Sequence, residues 1–295
     1  MMHRRTLLGA LFALGCAVLS PMAASATAFT STRITIKTEG SGSDVILIPG
    51  LKSSPRVWDE LVKSDPKHRY HLVQIAGFAG LPKDGNNDGP VSAPVAEELA
   101  RYISEQGLKN TVVIGHSMGG SIGLMLAARH PQAVSKLMVV DMVPFLGALF
   151  GPPGTTPQSI KPMADGLMAR MRTPDPAARQ QKAEAMIGAM IETVAKRASA
   201  VDDMLRSDDD VAARAYYELV VTDLAPELAK VRAKTTVLYV LPKGMPLTEE
   251  QMDGKYKSSY ATLAGANLKR IPDSAHFIML DQPERFRTEV QAFLQ

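Results

Sequence analysis

A serine hydroxyl attacks a carbonyl only where its turn exposes it and a base can take its proton. Gly115-His116-Ser117-Met118-Gly119 offers such a serine. The pentapeptide follows a short apolar run, Thr111 to Ile114, and opens a longer one, Ser117 to His130, that Pro131 stops. Strand, turn and helix in that order are the setting in which G-x-S-x-G presents a nucleophile. The flanking glycines let neighbouring backbone approach the strained turn. The helix start aims its N–H groups and the positive end of its dipole at charge developing beside the serine. Acyl transfer through Ser117 is the chemistry that suits these residues.

The bases available are the six histidines. His68, His71 and His130 fall near the ends of expected elements, where surface or capping roles account for them. His68-x-x-His71 brings two possible metal ligands without a third. His116 precedes the serine on the strand side, so its ring is expected to point away from the pocket and pack. Cys16 is the single cysteine, which excludes an intramolecular disulfide and cysteine-based metal sites. No cofactor is implied.

Positioning these residues falls to alternating elements. Strands are expected at 33–37, 44–48, 70–75, 111–114, 136–140, 235–241 and near 268–271. Helices are expected at 54–63, 91–105, 117–130, from 249 onward and at 282–294. Continuous apolar runs such as Asp44 to Ile48 suit strands buried on both faces. Alternation of this kind implies a parallel sheet with helices on both sides. The pattern breaks after Asp141, and no strand signal returns before about residue 228. Within that stretch Ala183, Met186, Ile187, Met190, Ile191 and Val194 recur at helical spacing, which predicts one amphipathic helix over Gln180 to Ser199.

Residues 1–28 have the order of a secretory signal peptide. Arg4 and Arg5 precede an apolar stretch of about thirteen residues, too short for the ~20 that span a bilayer, and small residues lead to Ala26-Thr27-Ala28. Cleavage after Ala28 would leave Phe29 first, and Ala24-Ser25-Ala26 offers a second position. Arg4-Arg5 loosely resembles a twin-arginine signal. Ala13-Leu14-Gly15-Cys16 faintly resembles a lipoprotein box. A buried N-terminal helix is the structural alternative. The expected location is periplasmic or secreted, with lipid anchoring as the lesser alternative and no stable membrane span. Removing the leader takes the basic residues from 33 to 31 against 30 acids, a net charge of +1. A nearly neutral chain with no basic block argues against a nucleic-acid partner. With 45% hydrophobic and 21% charged residues, disordered and multi-span membrane classes are also excluded.

Over about residues 33–295 the chain is similar to the α/β-hydrolase superfamily. The resemblance implies an α/β-hydrolase fold: a mostly parallel, eight-stranded sheet with helices on both faces, Ser117 as nucleophile after the fifth strand, and a helical cap insertion. Residues 29–142 and 229–295 would form the core and 143–228 the cap. Leu47-Ile48-Pro49-Gly50-Leu51 resembles the oxyanion loop, so the backbone N–H groups of Leu51 and Met118 would form the oxyanion hole. Asp273-Ser274-Ala275-His276-Phe277 resembles the segment that carries the catalytic histidine, which makes His276 the general base. Asp281-Gln282-Pro283-Glu284 resembles the helix start that follows it.

The acid departs from the family pattern. Its usual place, the loop after the seventh strand, reads Leu241 to Leu247 without a carboxylate. Glu249 and Glu250 follow, but Thr248-x-x-Gln251 is a capping box, and acids in a first helical turn suit its dipole. Asp141, at the end of the sixth strand of the family count, is the favoured acid. Glu249, Glu250, Asp253 or a serine–histidine dyad are the alternatives.

These residues together predict an exported serine hydrolase that cleaves a small carboxylic ester through an acyl-enzyme on Ser117. Met163, Met168, Met171, Met186, Met190 and Met204 suit either a cap core or an adaptable wall for an apolar acyl group, and Leu146, Leu149 and Phe150 could line the same pocket. A lipase, thioesterase, amidase or lactonase would use the same triad. A non-catalytic ligand-binding relative is the competing class.

Overall fold

The computed structural model describes residues 29–172 and 175–295. The expected leader, 1–28, lies outside the described residues. The chain opens with β1 (Ile34–Gly40), β2 (Ser43–Ile48), α1 (Asp59–Ser64), β3 (His68–Ile75), α2 (Ser92–Glu105), β4 (Val112–His116), α3 (Met118–Arg129) and β5 (Lys136–Val140). Four helices follow: α4 (Pro157–Arg172), α5 (Arg179–Met190), α6 (Arg197–Leu205) and α7 (Asp209–Val221). The sheet then resumes with β6 (Lys234–Tyr239), α8 (Glu249–Ser259), β7 (Asn267–Arg270), α9 (Ile278–Asp281) and α10 (Pro283–Leu294).

The strands lie in the order β1-β3-β2-β4-β5-β6-β7. β1 runs antiparallel to β3, and the other pairings are parallel. The expected fold is found with one fewer strand: seven in place of eight. All seven stretches that read as strands are strands of this sheet. Among the described residues only Phe29 to Arg33 precede β1, and they are engaged otherwise. The Phe29 ring meets Tyr102 edge-on at 4.9 Å beneath the Arg101 guanidinium, and the Ser31 hydroxyl accepts the Arg33 and Ile34 N–H groups. Ser117 therefore follows the fourth strand present, and Asp141 the fifth.

The apolar runs form central strands because both faces of the sheet are covered. Successive strand residues point to opposite faces. Ile46 and Ile48 of β2 pack with α2 and α3, whereas Val45 and Leu47 pack with Trp58 and Phe286 on the other side. All four are wholly buried.

One expected helix is two. The stretch from Gln180 to Ser199 breaks after Met190, where Ile191 is extended at φ −133°, ψ 116°. The Glu192 and Thr193 N–H groups donate instead to the Asp281 carboxylate at 3.1 and 2.8 Å, and Arg197 Nε donates to the Ile191 carbonyl at 2.8 Å. Of the predicted apolar stripe, Ala183, Ile187 and Ile191 are buried, but Val194 is 72% exposed. No helix among the described residues is long and apolar enough to cross a membrane.

A buried carboxylate joins the helices between β5 and β6 to the sheet layer. Glu218 of α7 accepts the N–H groups of Val91, Ser92 and Ala93 at 2.9, 2.7 and 2.9 Å. These donors open α2 and have no partner within the helix, and Val91 supplies no side-chain cap. Glu218→Ala leaves buried donors unmet and is expected to cost about 1–3 kcal/mol of stability, read as a lower thermal midpoint. An unchanged midpoint would mean that water replaces the carboxylate without loss.

Candidate active site

Ser117 joins β4 to α3 at φ 53°, ψ −120°, left-handed backbone that non-glycine residues rarely adopt. Such a conformation costs about 1–3 kcal/mol and persists only where its surroundings hold it. Here its N–H donates to the Val140 carbonyl at 2.9 Å, and its own carbonyl accepts Gly120 N–H at 2.8 Å. The flanking glycines are steric requirements. A Cβ on Gly115 would lie 2.1 Å from the Gly119 oxygen, and one on Gly119 would lie 2.2 Å from the Ile48 oxygen.

His276 lies on the loop between β7 and α9. Its Nδ1–H donates to Asp141 Oδ2 at 2.6 Å, which leaves Nε2 as the ring's free lone pair. Asp141 ends β5, also with positive φ, 51°. Its second oxygen accepts Val240 N–H at 3.2 Å and the Tyr256 hydroxyl at 3.0 Å. Burial, reinforced by the neighbouring carboxylate, pushes the Tyr256 hydroxyl well above its ordinary pKa, so it remains a donor. The carboxylate is thus held on both oxygens, and only 10% of the side chain is exposed.

The other candidate acids are engaged elsewhere. Glu249 pairs with Arg270 at 2.6 Å. Asp253 accepts from the Tyr239 hydroxyl and Arg270 Nε, both at 2.9 Å. The Thr248–Gln251 capping box is formed, and exposed Glu250 stands in the first turn behind it.

His116 packs as expected but does not point away from the pocket: it lies against the histidine segment, because its ring is held by that loop. Its ring lies 4.6 Å from those of His276 and Phe277, and it borders the cavity. Its Nε2–H donates to the His276 carbonyl at 3.0 Å. Complete burial, with His276 beside it, drives its pKa well below the usual imidazole value and keeps it neutral. His68 and His71 take separate partners: His68 meets Asp65 at 3.1 Å, while His71 is held between Tyr102 at 2.7 Å and Asp44 at 2.8 Å.

Leu51 follows β2 and borders the same cavity. Met118 is the first residue of α3, where helical N–H groups lack an internal partner. The cavity measures about 640 Å³ and brings together Leu51, Ser117, Asp141 and His276. Among the expected wall residues, Leu146, Leu149, Met171, Met186, Met190 and Met204 line it. Phe150 is exposed instead, Met168 is half-buried and does not line the cavity, and Met163 packs against the small cluster of Phe145, Ile160, Ala164 and Val220.

Several contributors escaped the sequence reading. Tyr256 supports Asp141, and Tyr260, four residues on, donates to the Met142 carbonyl at 2.7 Å. Their i, i+4 spacing was the available signal. Lys52, next to Leu51, pairs at 2.6 Å with Asp209 of α7. No local pattern announces a pairing across that much chain.

Residues 45–289 match the model of the alpha/beta hydrolase family. The sn-1-specific diacylglycerol lipase ABHD11 of Mus musculus is 24% identical over 265 residues, which span 85% of this chain and 80% of the relative. The pimeloyl-[acyl-carrier protein] methyl ester esterase of Vibrio vulnificus (strain YJ016) is 28% identical over 138 residues, 46% of this chain and about half, 51%, of that protein's length. Among solved structures, the esterase EaEST from Exiguobacterium antarcticum has a similar fold, with a TM-score of 0.72 at 20% identity, covering 88% of this chain and 95% of its own. The enol-lactonase from Burkholderia xenovorans LB400 aligns with a TM-score of 0.71 at 17% identity, over 88% and 96% of the two chains. With the family match running through the serine turn, the Asp141 strand end and the His276 loop, this chain belongs to the alpha/beta hydrolase family.

Proposed function

We propose that the chain is a serine esterase that cleaves a small ester with an apolar acyl group. The observation that carries this reading is the His276–Asp141 hydrogen bond on the wall of a cavity that also holds Ser117. In this mechanism the Ser117 hydroxyl attacks the ester carbonyl while His276 Nε2 takes its proton. The Leu51 and Met118 N–H groups receive the oxyanion. His276 returns the proton to the departing alcohol. Water, activated by the same nitrogen, then releases the acyl group. Asp141 holds the imidazole in the working tautomer. The methionine and leucine wall suits an acyl chain because Met side chains adapt to irregular apolar shapes. The similarity to a lipase and a methyl ester esterase agrees with an ester substrate.

Ser117→Ala tests the nucleophile. It is expected to abolish labelling by a fluorophosphonate and to lower turnover of a good p-nitrophenyl ester by several orders of magnitude, with the thermal midpoint preserved. Turnover near that of the parent would remove Ser117 from the mechanism.

Asp141→Asn tests the acid. An amide favours the wrong imidazole tautomer, so kcat is expected to fall by up to ~10⁴, while the double change Glu249→Gln, Glu250→Gln keeps most of the activity. The reverse outcome would move the acid to the start of α8.

The leader pattern supports export to the periplasm or beyond. Activity is then expected in the osmotic-shock or medium fraction, and retention of all activity in the cytoplasmic fraction would contradict export.

A further inference from the structure

The cavity wall carries more positive charge than an alkyl ester needs. Beside the catalytic groups, its charged residues are Lys52, Arg170, Arg179, Lys182 and Asp209. Asp209 is shared by Lys52 at 2.6 Å and Arg179 at 3.4 Å. Arg170 and Lys182 have no acidic partner among the described residues. Helix electrostatics does not account for the arrangement on α5. Arg179 and Lys182 stand near its start, where a cation opposes the dipole, and no acid occupies that turn.

The position of these cations along α5 is specific. Its cavity face runs from Arg179 and Lys182 through Met186 to Met190. The far end abuts the histidine segment, because Phe277 N–H donates to the Met190 carbonyl at 3.2 Å. Lys182 and Met190 lie eight positions apart on α5, which at 1.5 Å rise per residue is about 12 Å. A chain lying along this face with its ester at His276 would pass an apolar stretch and end among cations.

We infer that Arg170 and Lys182, with Arg179 beside them, form an anion subsite of this cavity, and that the substrate ester bears a carboxylate or phosphate at the far end of its apolar chain. The inference rests on the esterase reading for the position of the ester. Arg179 and Lys182 themselves stand at the end of α5 away from the histidine segment.

Binding is best read on the Ser117→Ala protein, so that turnover does not enter. Three ligands of matched, medium chain length are compared by calorimetry: a neutral methyl ester, the methyl ester ending in a carboxylate, and the methyl ester ending in a phosphate. At low salt at least one anionic ester is expected to bind about three- to tenfold more tightly than the neutral one. Whichever anion binds better identifies the group. The preference should shrink at about 1 M salt, where the screening length falls to ~3 Å. It should also fall toward unity when Arg170→Ala and Lys182→Ala are added, with the thermal midpoint confirming that this protein is folded. Equal binding of all three ligands, or a preference that survives the two substitutions, would overturn the subsite. Turnover of the neutral ester by the parent protein is the separate arm: its absence would refute the esterase reading and leave the binding comparison to decide the subsite.

Discussion

The Ser117 turn is the constraint around which the other elements are placed. A residue at φ 53° and ψ −120° stays there only if neighbouring strands refuse it any alternative. The Val140 carbonyl of β5 takes its N–H, and α3 is pressed so closely on the end of β2 that residue 119 can carry no side chain. The first turn of α3 is therefore wedged between two strand ends. Lys52 and Asp141, which flank the serine on neighbouring loops, also have positive φ and line the same cavity. At these three strand ends unfavourable backbone serves to aim side chains and N–H groups at one point.

Carboxylates extend that order into the helices between β5 and β6. Asp203 of α6, 2% exposed, accepts the Ser54 N–H at 3.0 Å and the Ser54 hydroxyl at 2.6 Å, and it also meets Arg56. Asp209 holds Lys52, and Asp281 takes the Ala275, Glu192 and Thr193 N–H groups together. The loop after β2 is thus tied to α6 and α7, and the histidine segment is tied to the end of α5. A buried carboxylate such as Asp203 is tolerable only when fully partnered, so displacing α6 would strand charge as well as expose apolar surface. The apolar wall and the loops that carry Leu51 and His276 consequently share one set of anchors.

What was legible in the sequence follows from the range of the forces involved. The central strands stood out because they are buried on both faces, and burial writes itself into composition, whereas β7 at the edge is half exposed and left only a short signal near Leu268. G-x-S-x-G was legible because its steric demands are local. The capping box at Thr248 was legible for the same reason, but it left Glu249 and Glu250 open as alternative acids; their place at the helix start, with Glu249 paired to Arg270, is a feature of the fold. The break after Met190 was not legible. Its cause, Asp281, lies some ninety residues further along, and the stripe from Ala183 to Val194 is locally a good helix. His116 was half legible: its packing was expected, but its bond to the His276 carbonyl depends on a loop that arrives from the other end of the chain.

The place of the proposed acid, Asp141, has a physical explanation in the order of the strands. β4, β5 and β6 are consecutive neighbours, so the ends of β5 and β6 lie about 4.8 Å apart. At the end of β6 the Val240 N–H donates sideways to Asp141 Oδ1, and the Asp141 N–H donates to the Leu238 carbonyl at 2.7 Å. The backbone of β6 therefore serves as part of the carboxylate's cradle. Tyr256 of α8 completes the cradle from the side, and its hydroxyl fills the bonding position that a second donor would otherwise have to supply. With the acid held this way on the neighbouring strand, the stretch from Leu241 to Leu247 needs no carboxylate, and its Pro242 is free to border the cavity instead. A shift of one strand leaves the geometry at His276 Nδ1 intact, because that nitrogen requires only an oxygen at 2.6 Å and not a particular strand to carry it.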